Sequence, residues 1–598
     1  MPDAAIQLGL KRGFFLAFFL QIGYYSRMNT SEQTEGVFAF PDPKTTDPKK
    51  RRVQRALEMV PGFLSWGTLL GMFVISFLLP LWAAVAIILF DLYWLYRIVF
   101  ISFYSTRAHF RLVRSKRIDW WERCQKSLDP SEFVRELESR LADLRAARSH
   151  LPIFSLRHRR TVSAEMCRTR ETLVEAKRLA ASGHDIMDWR SVIHVVLLPT
   201  AGEDADIIEP SIRSLAEANF PKEQMIVLLA TEEREEETHR LAKVEYLKKK
   251  FDGVFKDFLV TTHIVAEGEM KCKASNAKFA AKVLQQYLDE RSIDYTRVVF
   301  SNFDCDSIAH PEYFAALTYA YVTNPKRLQR AYQPMPVYHN TIWDTNAFVR
   351  LVVTGSSFWH LFQSTRRQMV TFSSHSEPFD TLVKVGFWPV NMISEDSVIY
   401  WKCISYFHGD YEVCPIHLPV SLDAVLSSTY WKTIVNQYKQ NRRWAYGIEN
   451  FPVTMRALWP DRRISVFKKL RISFEMLEGH YSWATTSFIL ALLGWLPLVL
   501  GGVAFRESVL AHNLPLITER LMTLAMFGMI VSVPLSIFSL PPRPAKYHWS
   551  KHFLMLFQWV LSPFVAFLSA FPALDSQTRL LFGNYFGEFW VTEKMRKK

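Results

Sequence analysis

Long apolar runs stand near both ends of the chain, and a polar middle region separates them. Residues 61–103 are enough for two membrane-spanning helices with a turn at Pro80, because one crossing needs about 20 residues. Three further apolar runs follow the middle region, at residues 483–505, 521–540 and 553–571. A single run of this kind is often a buried core helix. Together, the runs predict an integral membrane protein.

Lysine and arginine residues are concentrated beside these runs, at residues 49–55, 107–117 and 462–471. Such clusters mark the cytoplasmic side of a membrane protein. We therefore expect a multi-pass protein of the plasma (inner) membrane, with the N-terminus and the middle region in the cytoplasm. Basic flanks facing anionic lipid also explain the net charge of +14, so no nucleic-acid partner is expected.

The last apolar run, residues 553–571, is predicted not to cross the membrane. Proline at position 563 interrupts a helix near the middle of this run. If all three late runs crossed, the basic end of the chain would lie outside the cell. We therefore predict that the run is a re-entrant or interface-lying hairpin, which leaves four complete crossings.

The pattern divides the chain into seven parts. Residues 11–20 within the first part predict an interfacial helix, or a start codon placed too early. The predicted parts are a cytosolic or interfacial segment (1–60), a transmembrane hairpin (61–103), a helical linker (104–189), a catalytic domain (190–460), an amphipathic interface helix (461–482), transmembrane or re-entrant helices (483–574) and a C-terminal segment (575–598).

Short apolar runs alternate with helical patterns in the middle region, at residues 192–199, 224–231 and 297–303. This alternation predicts a parallel sheet covered on both faces by helices. Ligands bind beyond the carboxyl ends of such strands. The candidate binding residues that follow the runs are Thr200, Glu203, Glu232, Asp304 and Asp306.

Asp304 and Asp306 stand one residue apart after a predicted buried strand. One or two carboxylates together with substrate phosphates make a site for a hard divalent cation, Mg²⁺ or Mn²⁺. The alternative is a solvated turn or a helix cap, which also uses aspartate.

Glu395 and Asp396 form a second acidic site at the predicted start of an aromatic-rich helix. Acidic residues there also suit the helix dipole, which is the structural alternative. A carboxylate at the edge of the sheet is a candidate general base for an acceptor hydroxyl.

The stretch YKQNRRWAY, residues 438–446, belongs to a predicted helix. Gln440, Arg443 and Trp444 share one face of that helix. Arginine suits bidentate phosphate contacts, and an indole suits the apolar face of a sugar ring. An RNA-binding helix also uses Arg and Trp, but the basic, apolar segment 463–472 that follows favours a membrane interface.

The order of these elements resembles that of the membrane-embedded, processive-type inverting glycosyltransferases of family 2, which include cellulose, hyaluronan and chitin synthases. Those enzymes have a GT-A domain with D,D, DxD, [TS]ED and Q(Q/R)xRW motifs. The positions that match motifs of the family are Asp304-Cys305-Asp306 (DxD), Glu395-Asp396 (ED), Gln440 to Trp444 (QxxRW), Lys271 to Asn276 (KxxAxN) and Phe589 to Lys594 (FxVTxK, a gating loop).

The resemblance implies an α/β GT-A domain, Rossmann-like with a mostly parallel sheet, inserted between transmembrane helices. It implies a catalytic base at Asp396 with Glu395 beside it, and a metal site at Asp304 and Asp306. Gln440 and Trp444 would bind the acceptor. The donor-binding residues would be Thr200, Glu203, Glu232, Lys271, Asn276, Asp304, Arg443, Thr592 and Lys594.

The implied function is transfer of a sugar from a nucleoside-diphosphate sugar, with UDP-sugars favoured, to a growing polysaccharide that the protein also exports. One alternative is transfer of a single sugar to a lipid-linked acceptor. An alternative of another class is a non-catalytic membrane scaffold with a degenerate GT-A domain. Thr231-Glu232 stands where the family usually has Asp-Asp, which leaves the identity of the base open.

Overall fold

A computed structural model describes residues 38–152, 154–183, 186–587 and 595–596. The helix predicted at residues 11–20, and the matched motif at residues 589–594 with Thr592 and Lys594, lie outside the described residues.

Within the described residues, five helices precede the sheet. Asp129 caps the fourth of them, since its side chain accepts a hydrogen bond from the backbone N–H of Glu132. This helix pairs with the fifth over Phe133, Leu137 and Leu173. The five helices are α1 (Pro48–Leu78), α2 (Pro80–Ser115), α3 (Trp120–Lys126), α4 (Pro130–His150) and α5 (Leu156–Ser182).

An eight-stranded sheet forms the centre of the middle region, in the order β3-β2-β1-β4-β7-β6-β8-β5. Its strands are β1 (Ile193–Pro199), β2 (Met225–Glu232), β3 (Asp257–His263), β4 (Val298–Asn302), β5 (Ile308–Ala309), β6 (Arg330–Val337), β7 (His375–Pro378) and β8 (Glu412–Ser421). The helices between them are α6 (Ala205–Ala216), α7 (Glu237–Lys250), α8 (Lys273–Glu290), α9 (Tyr313–Val322), α10 (Ala347–Gln363), α11 (Phe379–Val385) and α12 (Glu395–Tyr406).

The prediction of a mostly parallel sheet holds for one half of it. Strands β1 to β4 are parallel, but β7 is antiparallel to β4 and β6, and β5 is antiparallel to β8. The sheet is therefore mixed. Strands β6 and β8 were not predicted from the sequence, because each contains two prolines. Proline lacks the N–H that a residue of a central strand donates to its neighbour.

Strand β1 contributes side chains to hydrophobic clusters on both faces of the sheet. Val195 and Leu197 enter one hydrophobic cluster with helix α8, and Val196 and Leu198 enter another with helices α6 and α9. Each fully buried side chain of this size contributes about 1.5–3 kcal/mol through removal from water. The sheet therefore has a core on both faces, as the sequence predicts.

In the part of the chain after the sheet that the structure describes, there are eight helices. Residues 466–491 form one continuous helix that Ser465 caps, so the predicted boundary between residues 482 and 483 falls inside a helix, and the interface position of segment 461–482 stays a prediction. The eight are α13 (Tyr430–Ala445), α14 (Asn450–Leu458), α15 (Val466–Ala491), α16 (Leu496–Leu500), α17 (Gly502–Arg506), α18 (Val509–Ser539), α19 (Ser550–Phe557) and α20 (Ser562–Phe582).

In the described part of the chain, four helices are long and apolar enough to cross a membrane, or five if a bent pair is one span. The bent pair joins α15 to residues 493–500 at an angle of 48°. The four are α1, α2, α18 and the joined segment Ser550–Phe582. That segment does not fold back as a hairpin, and the predicted position of residues 553–571 at the membrane interface stays a prediction. A short 3-10 turn before Ser562-Pro563 is the only interruption within it.

Contacts between these helices give their relative directions. Asp91 and His109 of α2 contact Thr518 and Ser539 of α18, respectively, so the two helices run parallel. Arg97 of α2 donates to Ser482 of α15 at 2.8 Å, and further along the chain Gly501 lies against Pro80. Residues 466–501 therefore run antiparallel to α2 along most of its length.

Candidate active site

A cavity of about 1210 Å³ opens at the carboxyl ends of β1, β2 and β4 and continues between the apolar helices. Lys271 is the one described candidate that does not line it; this lysine is exposed just before helix α8. The predicted residues that do line the cavity are Thr200, Glu203, Glu232, Asn276, Asp304, Asp306, Glu395, Asp396, Gln440, Arg443 and Trp444.

Three of the predicted carboxylates meet at one lysine. Nζ of Lys273, the first residue of helix α8, lies 2.8 Å from Asp304, 3.3 Å from Glu395 and 3.4 Å from Asp396. The lysine side chain is 9% exposed, so this charge cluster is largely shielded from water. The structure therefore joins the two acidic motifs, which are 91 positions apart in the sequence (395 − 304).

The pKa values in this cluster follow from burial and mutual charge. Burial opposes the charge on Lys273, but Asp304, Asp396 and Glu395 outweigh it and raise the pKa of the ammonium group. Burial, and then the charge of Asp396, raises the pKa of Glu395 against the effect of Lys273. Like charges at one site favour protonation of one of them. Glu395 is therefore the carboxyl that tends to hold a proton.

Glu449 fixes the start of helix α12, which presents Glu395 and Asp396. Its Oε1 accepts hydrogen bonds from the backbone N–H of Ile393 and of Ser394, both at 2.9 Å, and from the Ser394 hydroxyl at 2.8 Å. The backbone carbonyl of Asp396 accepts a further bond from Thr371 at 2.5 Å. These contacts orient the acidic helix terminus toward the cavity.

Asp306 and Asp304 have different hydrogen-bond partners. Oδ2 of Asp306 accepts from the backbone N–H of Asp423 at 2.9 Å, and Asp306 is 3% exposed. Asp304 accepts from the Ser373 hydroxyl. Near the end of the chain, the Arg596 guanidinium reaches Asp423 with two contacts of 3.0 and 3.2 Å. Arg596 thus lies close to the DxD residues.

The donor set at this edge fits a divalent cation. Asp304 and Asp306 both line the cavity, and hard cations such as Mg²⁺ and Mn²⁺ are commonly held by one or two carboxylates together with substrate phosphates. No group of three or more His, Cys, Asp or Glu side chains converges on a metal position among the described residues. A cation here would therefore depend on ligands from the substrate.

The other end of the sheet edge offers a narrower, partly polar recess. Glu232 ends strand β2 and is 3% exposed, and its carboxylate pairs with Arg234. Burial raises the pKa of Glu232, against the charges of Arg234 and His263. Asn276 of α8 donates to the carbonyl of Ala230 at 3.0 Å. Thr200 and Glu203 follow β1 at the same edge.

Gln440, Arg443 and Trp444 face the cavity from helix α13, which confirms their predicted common face. The Trp444 ring lies 5.8 Å from that of Tyr338, centre to centre. Gln440 accepts a hydrogen bond from Gln437 at 3.1 Å. An arginine and an indole therefore stand together where the acidic site passes into the apolar part of the cavity.

Beyond Trp444 the cavity wall includes helices α2, α10, α15, α18 and α20 and the 3-10 turn at residues 558–561. Its lining there is largely apolar, with Ile98, Leu490 and Met526, and further indoles contribute at Trp94, Trp483 and Trp559. The cavity thus joins a charged region at the sheet to an apolar passage between helices.

Sequence reasoning missed several residues of this site. Lys273 stands two positions after Lys271 in the same KxxAxN stretch. Its position at the start of a helix is the sequence signal that could have identified it. Arg234 stands two positions after Glu232, and its closeness in sequence to that candidate could have identified it. Glu449, Ser373 and Asp423 carry no motif, and only the fold brings them to the site.

No protein-family model matches the chain, and the curated proteins contain no match to it. Solved structures do match. The chain is similar to the mannosyltransferase PcManGT from Pyrobaculum calidifontis in complex with GDP-Man and Mn²⁺, at 14% identity over 67% of this chain and 98% of that one, with a TM-score of 0.34.

It is also similar to S. aureus TarS residues 1–349, at 12% identity over 66% of this chain and 91% of that one, with a TM-score of 0.30. GalNAc-T7 with UDP, GalNAc and Mn²⁺ matches at 10% identity over 50% of this chain and 58% of that one, with a TM-score of 0.28. At these scores the fold and function have to be argued from the chain itself.

Proposed function

We propose that the chain is a membrane-embedded, inverting glycosyltransferase that transfers a sugar from a nucleoside-diphosphate sugar, preferably a UDP-sugar, to a growing polysaccharide. The observation that supports this most is the meeting of Asp304, Glu395 and Asp396 at Lys273, in a cavity that continues past Arg443 and Trp444 between apolar helices. The proposed reaction requires a base, phosphate-binding groups and a sugar-stacking ring along one path, and we assign these roles to Asp396, to the residues around Asp304 with Arg443, and to Trp444.

In the proposed reaction Asp396 accepts the proton of the acceptor hydroxyl. The hydroxyl oxygen attacks the anomeric carbon of the donor as the bond to the diphosphate breaks, which inverts the configuration. One base is sufficient for such a direct displacement, and no covalent intermediate with the protein is needed.

Negative charge develops on the departing diphosphate, and cationic groups at that place accelerate the step. Arg443 is the cavity-lining guanidinium assigned to it, since arginine binds phosphate oxygens in a bidentate manner. Asp304 and Asp306 would hold Mg²⁺ or Mn²⁺, which would neutralise diphosphate charge when bound. Glu232, beside Arg234, is assigned to the base of the nucleotide, with Thr200, Glu203 and Asn276 around it.

The helix contacts support four membrane crossings. Residues 466–501 run antiparallel to α2 as far as Pro80, so the bent pair crosses, and α18 returns parallel to α2. With α1 and α2, that makes four crossings. The catalytic domain and the end of α18 then lie on the same side.

The segment Ser550–Phe582 then lies along the membrane interface. At its start, Tyr547 donates to Asp344 of the catalytic domain at 2.6 Å. Near its end, Asp575 pairs with Arg442 of α13 at 3.2 Å. Both ends thus contact the domain on the cytoplasmic side. This supports the interface-lying form of the earlier prediction and keeps the end of the chain near the active site.

One observation favours a second candidate, transfer of a single sugar to a lipid-linked acceptor. The passage between the helices is lined by Ile98, Leu490, Met526 and Val565, and such a surface suits an aliphatic chain. The indoles along the same passage suit sugar rings, which favours the polysaccharide.

Turnover on a donor panel tests the proposal. Purified protein in lipid vesicles receives UDP-glucose, UDP-N-acetylglucosamine, UDP-galactose or GDP-mannose with Mg²⁺ or Mn²⁺. We expect release of nucleoside diphosphate from one donor, with a long, size-distributed product. A single product that organic solvent extracts would establish the lipid acceptor instead. No release and no nucleotide binding with any donor would favour the scaffold and contradict the proposal.

A further inference from the structure

A buried lysine lies behind the loop that follows strand β1, and the proposed reaction does not use it. Lys243 belongs to helix α7, and its side chain is 2% exposed. The loop in front of it, residues 200–204, contributes Thr200 and Glu203 to the cavity wall. An ammonium group in such a place needs partners within the protein, because burial of an unpaired charge is costly.

The ammonium group of Lys243 has partners in two different loops. It pairs with the carboxylate of Glu235, which lies between β2 and α7 and whose side chain is also 2% exposed. It donates to the backbone carbonyl of Glu203 at 2.9 Å and lies 3.4 Å from the hydroxyl oxygen of Thr200. A lysine has three N–H donors, so one side chain can serve all three contacts. Lys243 thus ties the loop after β1 to the loop after β2.

A second contact joins the same two loops nearer to solvent. The ring nitrogens of His239 lie 3.1 Å from Oε1 of Glu235 and 2.9 Å from Oδ1 of Asp204. The imidazole donates to one of these carboxylates when it is neutral and to both when it is protonated. The His239 side chain is 41% exposed, whereas that of Lys243 is buried, so the lysine is the inner of the two connections.

The loop after β1 is fixed at two points. At its start, the backbone N–H of Thr200 donates to the carbonyl of Ala230 in β2 at 2.8 Å. Three residues later, the carbonyl of Glu203 accepts from Lys243. Between these points, the N–H of Ala201 donates to Oε2 of Glu203 at 2.7 Å. The backbone position of the loop therefore also determines where this carboxylate lies, and removal of the lysine would release the second point.

We propose that Lys243 is a positioning residue for the donor nucleotide. By holding the carbonyl of Glu203 against the loop that carries Glu235, it sets the width of the recess assigned to the nucleoside. The inference rests on the proposed function, in which Thr200, Glu203 and Glu232 surround the base of the nucleotide. The groups assigned to the diphosphate and to proton transfer belong to other segments, so the chemical step itself should not depend on Lys243.

The test measures nucleotide binding and turnover with the full-length protein in vesicles. UDP and GDP are both titrated, and the nucleotide that wild type binds more tightly is compared among the variants. Lys243→Met removes the ammonium group, whereas Lys243→Arg keeps a cation with several N–H donors.

We expect Lys243→Met to raise the Kd of that nucleotide and the KM of its sugar donor about tenfold, because a small misplacement of binding groups has effects of that order. The kcat at saturating donor should stay within about twofold, as it does when an interaction common to the ground state and the transition state is lost. Lys243→Arg should restore most of the affinity. Lys249→Met is the control, since Lys249 is exposed on the same helix.

Inorganic pyrophosphate with Mn²⁺ is a second probe. It occupies the site assigned to the diphosphate without a nucleoside, so its Kd should be the same for Lys243→Met and wild type. A general loss of structure would instead weaken the binding of nucleotide and pyrophosphate alike.

A double variant decides the matter if Lys243→Met does not fold because Glu235 keeps a buried charge without its partner. Glu235→Gln combined with Lys243→Met removes both charges and still lacks the lysine donor to Glu203. It should bind the nucleotide about tenfold more weakly than wild type, for the same reason as the single variant.

Nucleotide affinity at the wild-type level in folded Lys243→Met, or in the double variant, would overturn the inference, as would an equal loss of nucleotide and pyrophosphate affinity. Wild-type protein that turns over a donor while these results fail would leave the proposed function in place. Wild-type protein that binds neither UDP nor GDP and turns over no donor would overturn the proposed function and this inference with it.

Discussion

Nζ of Lys273 lies 2.8 Å from Oδ1 of Asp304. The contact joins the first residue of helix α8 to the residue that follows strand β4 and Phe303. Glu395 and Asp396 are also close to this ammonium group. Lys273 is therefore a positive charge that links the proposed donor site to the proposed base.

Replacement of Lys273 by methionine should therefore lower turnover about 100-fold. Removing one partner from a buried ion pair leaves uncompensated charge that costs about 3–5 kcal/mol. The remaining carboxyl groups would relieve this by taking up protons, and the base would be neutralised. Initial rates of nucleoside diphosphate release measure the effect. Lys282→Met on the exposed face of the same helix is the control, and equal rates for both variants would refute the role given to Lys273.

Glu449 should make stability depend on pH. Burial raises its pKa from 4.5 to about 7, against the hydrogen bonds from Ser394 and Ile393. The folded protein therefore binds this proton more tightly than the unfolded chain. The stabilisation is complete below about pH 4.5 and is lost as pH rises to about 7.

Glu449→Gln removes this titration and keeps an acceptor oxygen for the start of α12. The Tm of the variant minus that of wild type should therefore rise between pH 4.5 and 7, by a few degrees. Thermal unfolding in detergent across this range measures it. Glu267 is exposed, so the Tm difference between Glu267→Gln and wild type should not change with pH. A Tm difference for Glu449→Gln that also does not change with pH would contradict the account.

Trp444→Ala should shorten the product and slow transfer, because the ring is proposed to stack on the acceptor sugar. Stacking of a nucleic-acid base on an aromatic ring contributes about 1–3 kcal/mol, and with a stacking energy at the lower end of that range for a sugar ring we expect a loss of about tenfold in rate. Donor binding should be unchanged. Trp431→Ala is the matched control, since Trp431 is on the same helix and is 74% exposed. Products of equal length from both variants would remove Trp444 from the acceptor path.

The proposed topology places Gly587 on the side of the catalytic domain and Val509 on the opposite side. Cys167 is the exposed cysteine among the six of the chain, and it belongs to helix α5, which is proposed to lie on the side of the catalytic domain. A membrane-impermeant maleimide should label Gly587→Cys from the same side as native Cys167. Val509→Cys, whose parent side chain is 80% exposed, should be labelled from the other side.

Each engineered cysteine is introduced with Cys167→Ser, so that one labelled site is measured at a time. Labelling of positions 587 and 509 from the same side would mean that Ser550–Phe582 crosses the membrane. The end of the chain would then be separated from the active site.

Sequence patterns were sufficient for the parts of this site that local chemistry determines. Strand β1 is a continuous apolar run, and Gln440, Arg443 and Trp444 share a face because helical spacing requires it. The mixed half of the sheet could not be predicted from the sequence. The prolines in β6 and β8 argue against strands locally, and pairing with neighbouring strands in the folded domain stabilises them nevertheless. Lys273 and Glu449 acquire their roles only when distant segments meet.

The central claim is that Asp396 is the base of a sugar transfer, and Asp396→Asn tests it most directly. Nucleotide binding and turnover are measured side by side in vesicles, with exposed Asp143→Asn as the control. We predict that Asp396→Asn binds nucleoside diphosphate as wild type does and loses turnover by about 10²–10⁴-fold, while Asp143→Asn keeps both. Turnover by Asp396→Asn at the wild-type rate would contradict the account.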